Sequence, residues 1–303
     1  MTDITLLDGS IGQELVKRTD DRATPLWSTQ VMIDHPHLVG EVHAVYFAVG
    51  ATVATTNTYA VMADRLQRVN LTDRLPQLLE TALSAAQTAR DAHGSGRIAG
   101  SLGPIGASYR PDIHVTKEDA ATAYDPALAM LDAHIDLWLI ETMSSLNHAT
   151  STLAAVKDAS TKPVWLAVSV DDFDGTKLRS GEPIQTITDL ILSLPDDRKP
   201  DAILINCSRP EVVADGLAIL THAGIPFGAY ANGFTKISEG FLKDAPTVDA
   251  LEQRVDLTPD TYANHAMGWV AQGATIVGGC CEVGPDHIAE LARRLKIDGH
   301  HLV

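Results

Sequence analysis

The chain contains three cysteines, and two of them are adjacent in "TIVGGCCEVGPDHI", where Cys280 and Cys281 directly follow two glycines. Neighbouring Cα atoms sit about 3.8 Å apart across a trans peptide, closer than a disulfide prefers, so a bond between the two is disfavoured. In an extended strand consecutive side chains point to opposite faces, so both thiols reach one object only if the chain leaves the strand there. Gly278 and Gly279 would permit such a bend. The third cysteine, Cys207, ends the apolar run "AILINC". Three thiols at the ends of two strands can share a metal, and Zn2+ on three thiolates keeps a fourth position for substrate or water, as a catalytic site requires. The competing reading is three small buried hydrophobes. No C-x-x-C pair supplies a fourth ligand, and His287, although close in sequence, falls on the expected last helix and is expected to point elsewhere.

Other polar residues stand at the carboxyl ends of apolar runs: Asp8, Asn57, Glu141 and Asn232. Asp8 and Glu141 could act as a pair of anions gripping a substrate ammonium, or as carboxylates capping nearby backbone amides. For Asn57 and Asn232 the choice lies between substrate binding and turn geometry, which asparagine tolerates well. Trp27 in "PLWS" reads more readily as core than as a cation-binding face, and none of the twelve histidines is nominated.

These positions converge only if the fold brings strand ends together. Short β-rich runs end at Asp8, Thr58, Gly103, Thr142, Val170, Cys207, Asn232 and Gly279, which makes eight strands. Segments with 3.6-residue apolar spacing lie between them, including His37 to Val49, Leu75 to Ala92, Ala120 to His134 and Glu211 to Ala223. Thr116 with Asp119 forms a capping-box pattern, and Thr258-Pro259 and Gly284-Pro285 mark helix starts. Alternating strands and helices imply parallel pairing through right-handed crossovers. Eight such units predict an α/β fold, a single-domain (β/α)8 TIM barrel over residues 1–303, whose active site belongs at the carboxyl ends of the strands. An open doubly wound sheet is the rival, but "GSLGPIG" lacks the G-x-G-x-x-G spacing of a dinucleotide site. The longest irregular stretches, Gly233 to Leu257 and Asp171 to Pro183, are candidate binding loops.

With 303 residues and 45% hydrophobic content the chain can bury a large core. A formal net charge of −16 with no basic cluster argues against nucleic acid and anionic membrane as partners. An odd, low cysteine count and the absence of a leader-like start or long apolar stretch place the expected protein in the cytoplasm.

The motifs "LLDGSIGQEL", "PLWS", "ATTNTYA", "GSLGPIGA", "IET", "RSGEP", "INCSRP" and "VGGCC…PDHI" together resemble the homocysteine S-methyltransferase family over nearly the whole chain. The resemblance implies a (β/α)8 barrel with zinc on Cys207, Cys280 and Cys281, and the amino group of homocysteine held by Asp8 and Glu141. It implies methyl transfer from a small onium donor to homocysteine, giving methionine. The lack of a long extension after the paired cysteines favours the bacterial and plant type, which uses S-methylmethionine or S-adenosylmethionine. The alternatives are a relative that demethylates another onium compound, betaine-like or dimethylsulfonio, and a non-catalytic barrel that binds or senses thiols. Three segments depart from the family pattern: "GASYRPDI", "YANGFTKISEG", and Glu282-Val283 where Gly-Thr is common. Glu282 either faces the mouth, where it would attract a cationic donor, or complements the N-terminus of the last helix; its place just before Gly284-Pro285 makes the second the expected role.

Overall fold

Strand alternation decides which side chains can enter the barrel. The computed structural model describes residues 2–19, 24, 26–242 and 251–303. Among them the strands are β1 (Asp3–Leu6), β2 (Val53–Thr55), β3 (Arg97–Leu102), β4 (Leu137–Met143), β5 (Val164–Val168), β6 (Ala202–Asn206), β7 (Phe227–Tyr230), β8 (Ile276–Val277) and β9 (His301–Leu302). Their order in the sheet is β2-β3-β4-β5-β6-β7-β8-β1-β9, and every pairing is parallel. The ring closes through a parallel bridge between Leu7 and Val53, supported by Thr52 N–H donating to the Leu6 carbonyl at 2.7 Å. The eight expected strands thus form a closed barrel. The ninth, which the sequence did not suggest, pairs with Asp3 and Ile4 at the start of β1.

The helices are α1 (Ile11–Lys17), α2 (Ser28–Asp34), α3 (Pro36–Val49), α4 (Ala63–Gln67), α5 (Leu75–His93), α6 (Lys117–Leu131), α7 (Leu146–Ala159), α8 (Gln185–Ser193), α9 (Pro210–Leu220), α10 (Pro259–Ala271) and α11 (Pro285–Ile297). The two spans expected to run on to His134 and Ala223 finish instead in single 3-10 turns, Asp132–His134 and Thr221–Ala223. The capping box at α6 is formed: the Thr116 hydroxyl accepts from Asp119 N–H, and the Asp119 carboxylate accepts from Thr116 N–H, both at 3.0 Å. No helix among the described residues is long and apolar enough to cross a membrane.

Period-2 alternation sorts each strand into two layers. In β4, Trp138 and Ile140 pack outward in the strand–helix core, while Leu137 and Leu139 join Ala99, Ala167 and Leu204 inside the barrel. Glu141, two residues beyond Leu139, inherits the inward direction. Ser101 follows Ala99 in β3 by the same step, and β3 and β4 are in register at Ala99–Leu137 and Ser101–Leu139. The amino end of the interior is filled by Arg97, whose guanidinium lies 5.4 Å over the Trp165 ring and bonds the Thr5 hydroxyl.

Candidate active site

The three thiols meet at the carboxyl end of the barrel. Cys207 Sγ lies 2.9 Å from Cys280 Sγ and 3.7 Å from Cys281 Sγ, and all three sulfurs fall within 4.8 Å of one another. Thiolates about 2.3 Å from one tetrahedral Zn2+ stand ~3.8 Å apart. The Cys207–Cys281 separation matches that spacing and the Cys207–Cys280 separation is shorter; three convergent thiols are a donor set of the chemistry zinc takes. Adjacent cysteines reach one point because β8 has ended and Val283 N–H donates to the Cys280 carbonyl, closing a four-residue turn. The turn's third residue, Glu282, has φ +65°, a position that favours glycine. Gly278 and Gly279 do not supply the bend, since neither has positive φ. They serve close approach instead: a Cβ on Gly278 would lie 2.5 Å from Leu7 Cβ, and one on Gly279 would lie 2.3 Å from the Val283 side chain.

Cys207 itself has φ +48°. Its thiol is held well below the usual range by hydrogen bonds from Cys280 and Cys281, helped by the Tyr109 hydroxyl at 2.8 Å. Tyr109 keeps its proton, because burial and the neighbouring cysteines push its phenol up. Its ring is braced by the Arg179 guanidinium at 4.7 Å and by Phe241 edge-on at 5.9 Å. Arg179 is fixed in turn by Asp172 at 2.6 Å. The Asp171 to Pro183 loop, expected to bind ligand, therefore contributes by positioning Tyr109. Of the other long loop, residues 243–250 lie outside the described residues.

The two carboxylates are buried and hydrogen-bonded. Asp8 accepts the Thr55 backbone N–H at 2.6 Å and its hydroxyl at 2.8 Å; burial nevertheless raises it to about 8. Glu141 accepts the Ser101 hydroxyl at 2.5 Å and the Tyr230 hydroxyl at 3.0 Å, and burial raises it to about 7. Both groups are poised to ionise when a cation arrives.

Asp8, Asn57, Glu141 and the three cysteines all line one cavity of about 310 Å³. Asn57 is fixed by Ser28, whose hydroxyl donates to its carbonyl oxygen at 2.8 Å. Asn232 is not among the residues that line the cavity. Its carbonyl oxygen accepts the Phe234 N–H at 3.2 Å, which is the turn role. Trp27, read from the sequence as core, lines the cavity with its ring edge-on to Tyr59 at 6.3 Å. Glu282 takes neither of its two expected places. It is buried away from the cavity wall, and its carboxylate binds the Gln13 side-chain amide and Lys17 Nζ on α1. His287 sits on α11 and bonds Gly284 N–H and the Leu257 carbonyl, away from the thiols as expected.

Backbone strain is concentrated here. Of the six non-glycine residues with positive φ among the described residues, Trp27, Tyr109, Thr142 and Cys207 line the cavity and Glu282 follows Cys281. Thr142, a β-branched residue at φ +63°, is held there by Asn206, which accepts its N–H at 3.0 Å and donates to its hydroxyl at 2.9 Å. Such conformations cost roughly 1–3 kcal/mol each and persist only where the surroundings over-determine them. Sequence reasoning missed Ser101, Tyr109 and Tyr230. Period-2 spacing from Ala99 would have found Ser101.

A closed parallel barrel with buried carboxylates and convergent thiols at its strand ends belongs to the (β/α)8 class, whose enzymes carry their active sites in this mouth. The family model for homocysteine S-methyltransferase matches residues 5–295, and the chain belongs to this family of methyltransferases. It is 28% identical to the homocysteine S-methyltransferase of Escherichia coli (strain K12), over 96% of this chain and 95% of that protein. It is 26% identical to homocysteine S-methyltransferase YbgG of Bacillus subtilis (strain 168), over 95% and 93%. The fold is similar to the crystal structure of the E. coli homocysteine methyltransferase MmuM in its metallated form, with a TM-score of 0.79 and 27% identity, covering 97% of this chain and 96% of that one.

Proposed function

We propose that this chain transfers a methyl group from a small sulfonium donor to homocysteine, giving methionine, with Cys207, Cys280 and Cys281 holding Zn2+. The observation that carries this reading is the convergence of three thiols and two buried carboxylates on one cavity. When bound, Zn2+ supplies the chemistry of a thiol deprotonated at neutral pH.

The protein's own residues do the rest. Asp8 and Glu141 receive the homocysteine ammonium and ionise against it. Thr55, Ser101 and Tyr230 hold the two carboxylates in place, so the amino acid enters with its orientation set. Trp27, Tyr59 and Phe234 give the cavity an aromatic wall that excludes water and tolerates an onium charge. As the bond from the acceptor sulfur to the methyl carbon forms, the bond from that carbon to the donor sulfur breaks. The electron pair stays on the donor, which leaves as a neutral thioether. A cavity near the lower end of the usual range of about 300–1,000 Å³ must take both partners, which favours a compact donor such as S-methylmethionine over a nucleoside-bearing one. Thiols kept free for a metal suit a reducing compartment, the cytoplasm.

Methionine formation from homocysteine, measured with a panel of S-methylmethionine, S-adenosylmethionine, a betaine and a dimethylsulfonio compound, tests the reading alongside zinc content. Turnover with a sulfonium at about one zinc per chain is expected. No methionine with any sulfonium, or turnover confined to the betaine, would overturn it.

A further inference from the structure

Helix α4 and the residue that caps its carboxyl end present two arginines to the active-site cavity that the methyl-transfer chemistry does not use. Arg65 and Arg68, three residues apart and so on one helix face, are the only cations among the described residues lining the cavity. In a chain of net charge −16, most arginines meet a carboxylate; these two form no ion pair among the described residues. Each is anchored by a single backbone carbonyl of the segment after β3, Arg65 by Pro104 and Arg68 by Gly106, both at 2.9 Å. A guanidinium offers five N–H donors, so most of each fork remains available. The Nε of Arg65 is buried with no partner. The Arg65 guanidinium also lies 5.4 Å over the ring of Tyr59, which packs against Trp27.

Resting on the methyl-transfer reading above, we propose that Arg65 and Arg68 bind the carboxylate of the methyl donor, and that the enzyme selects onium donors carrying one. Two carboxylates are available in principle, that of the acceptor and that of the donor. In homocysteine the carboxylate sits on the same carbon as the amino group, so an ammonium held at Asp8 and Glu141 keeps it deep in the cavity. Asp8 and Glu141 are 3% and 7% exposed, whereas Arg65 is half-buried and Arg68 is exposed. The arginine pair lies at the outer end, where the second substrate must bind. The aromatic pair Trp27 and Tyr59 beside it accommodates the onium charge. The donor is thus read at both ends, with its cation among rings and its anion at a guanidinium fork.

Calorimetric binding of S-methylmethionine, its methyl ester and trimethylsulfonium to the zinc-loaded enzyme, together with KM for each substrate, tests this. The parent should bind S-methylmethionine at least about tenfold more tightly than the ester, the loss expected for a charge-assisted bond. Arg65→Gln should remove that preference and raise the KM for S-methylmethionine by a similar factor, while the homocysteine KM, zinc content and trimethylsulfonium affinity stay as in the parent. Arg65 also anchors the loop at Pro104, so Arg68→Gln, on the exposed side, is the second variant; it should move the same parameters by a smaller factor. A rise in homocysteine KM with an unchanged donor KM would assign the pair to the acceptor and overturn the proposal. Equal binding of acid and ester by the parent would overturn it as well. If the parent transferred no methyl group from any onium compound, the methyl-transfer reading would fail, while the acid-to-ester binding ratio would still report on the arginine pair.

Discussion

Gln13 joins Glu282 to Trp27: its side-chain N–H donates to the Glu282 carboxylate, and its carbonyl oxygen accepts the indole N–H of Trp27 at 2.6 Å. The residue after the paired cysteines therefore reaches, through helix α1, an aromatic wall of the cavity. Lys17 completes the arrangement at 2.5 Å, but with its side chain 45% exposed it contributes little on its own. The buried bond to Gln13 is worth more, because losing the carboxylate leaves an amide unsatisfied at a cost of about 1–3 kcal/mol.

This arrangement predicts an order of stabilities. Glu282→Gly removes the carboxylate and relieves a backbone held at φ +65°, whereas Glu282→Ala removes the carboxylate and keeps the strain, worth about 1–2 kcal/mol. The Ala variant should melt below both the parent and the Gly variant. Any change in donor KM should be insensitive to salt, since Glu282 acts through Trp27 and not through its charge at the cavity. A Gly variant less stable than the Ala variant, or a salt-dependent KM, would remove Glu282 from this role.

The Tyr109 hydroxyl on Cys207 makes a second prediction. A hydrogen bond from a buried neighbour to a metal-ligating atom fixes that ligand's orientation, and its loss commonly weakens metal affinity about 10–100-fold. Tyr109→Phe should lower zinc affinity in competition with a chelator by such a factor, without changing the fold. Retention of parental affinity would show that the bond at 2.8 Å does nothing for the thiolate set.

The three cysteines should behave as one unit. Replacing Cys207, Cys280 or Cys281 by alanine leaves two sulfurs, which do not make the closed set of three that keeps one open position. Each variant should lose stoichiometric zinc and all methyl transfer, as read by metal analysis beside a turnover assay. A single variant retaining both would sink the assignment.

Much of this is legible in the sequence alone, and the exceptions have physical causes. The barrel follows from eight apolar runs with helices between them, and the convergence of Asp8, Glu141 and the cysteines on one cavity follows from their places at strand ends. β9 was too short, at two residues, to give a periodic signal. Tyr109 and Trp27 were missed as cavity residues because each sits at positive φ, a conformation that composition does not announce in a non-glycine residue. Glu282 was misplaced because its partners on α1 lie about 270 positions away in sequence, a contact only the closure of β8 against β1 creates. Asn232 was drawn toward the site by its position at a strand end, yet its side chain bonds the Phe234 backbone.

The buried carboxylates predict how stability depends on pH. Burial raises Glu141 to about 7 and Asp8 to about 8, while in the unfolded chain both titrate near 4. Between these limits the folded protein binds more protons than the unfolded one, so stability falls as pH rises, by up to about 1.4 kcal/mol per pH unit for each group. The contribution is fully present below the unfolded values and lost above about pH 8. The melting midpoint of the ligand-free protein should therefore decline from about pH 5 to about pH 9, and less steeply in Asp8→Asn or Glu141→Gln. An amino-acid ammonium reverses the balance by favouring the ionised pair. Methionine, which carries the ammonium but no thiol, should raise the midpoint more at about pH 8.5 than at about pH 6. If the methionine-induced shift were the same at both values, or survived intact in Glu141→Gln, these carboxylates would not be the ammonium site.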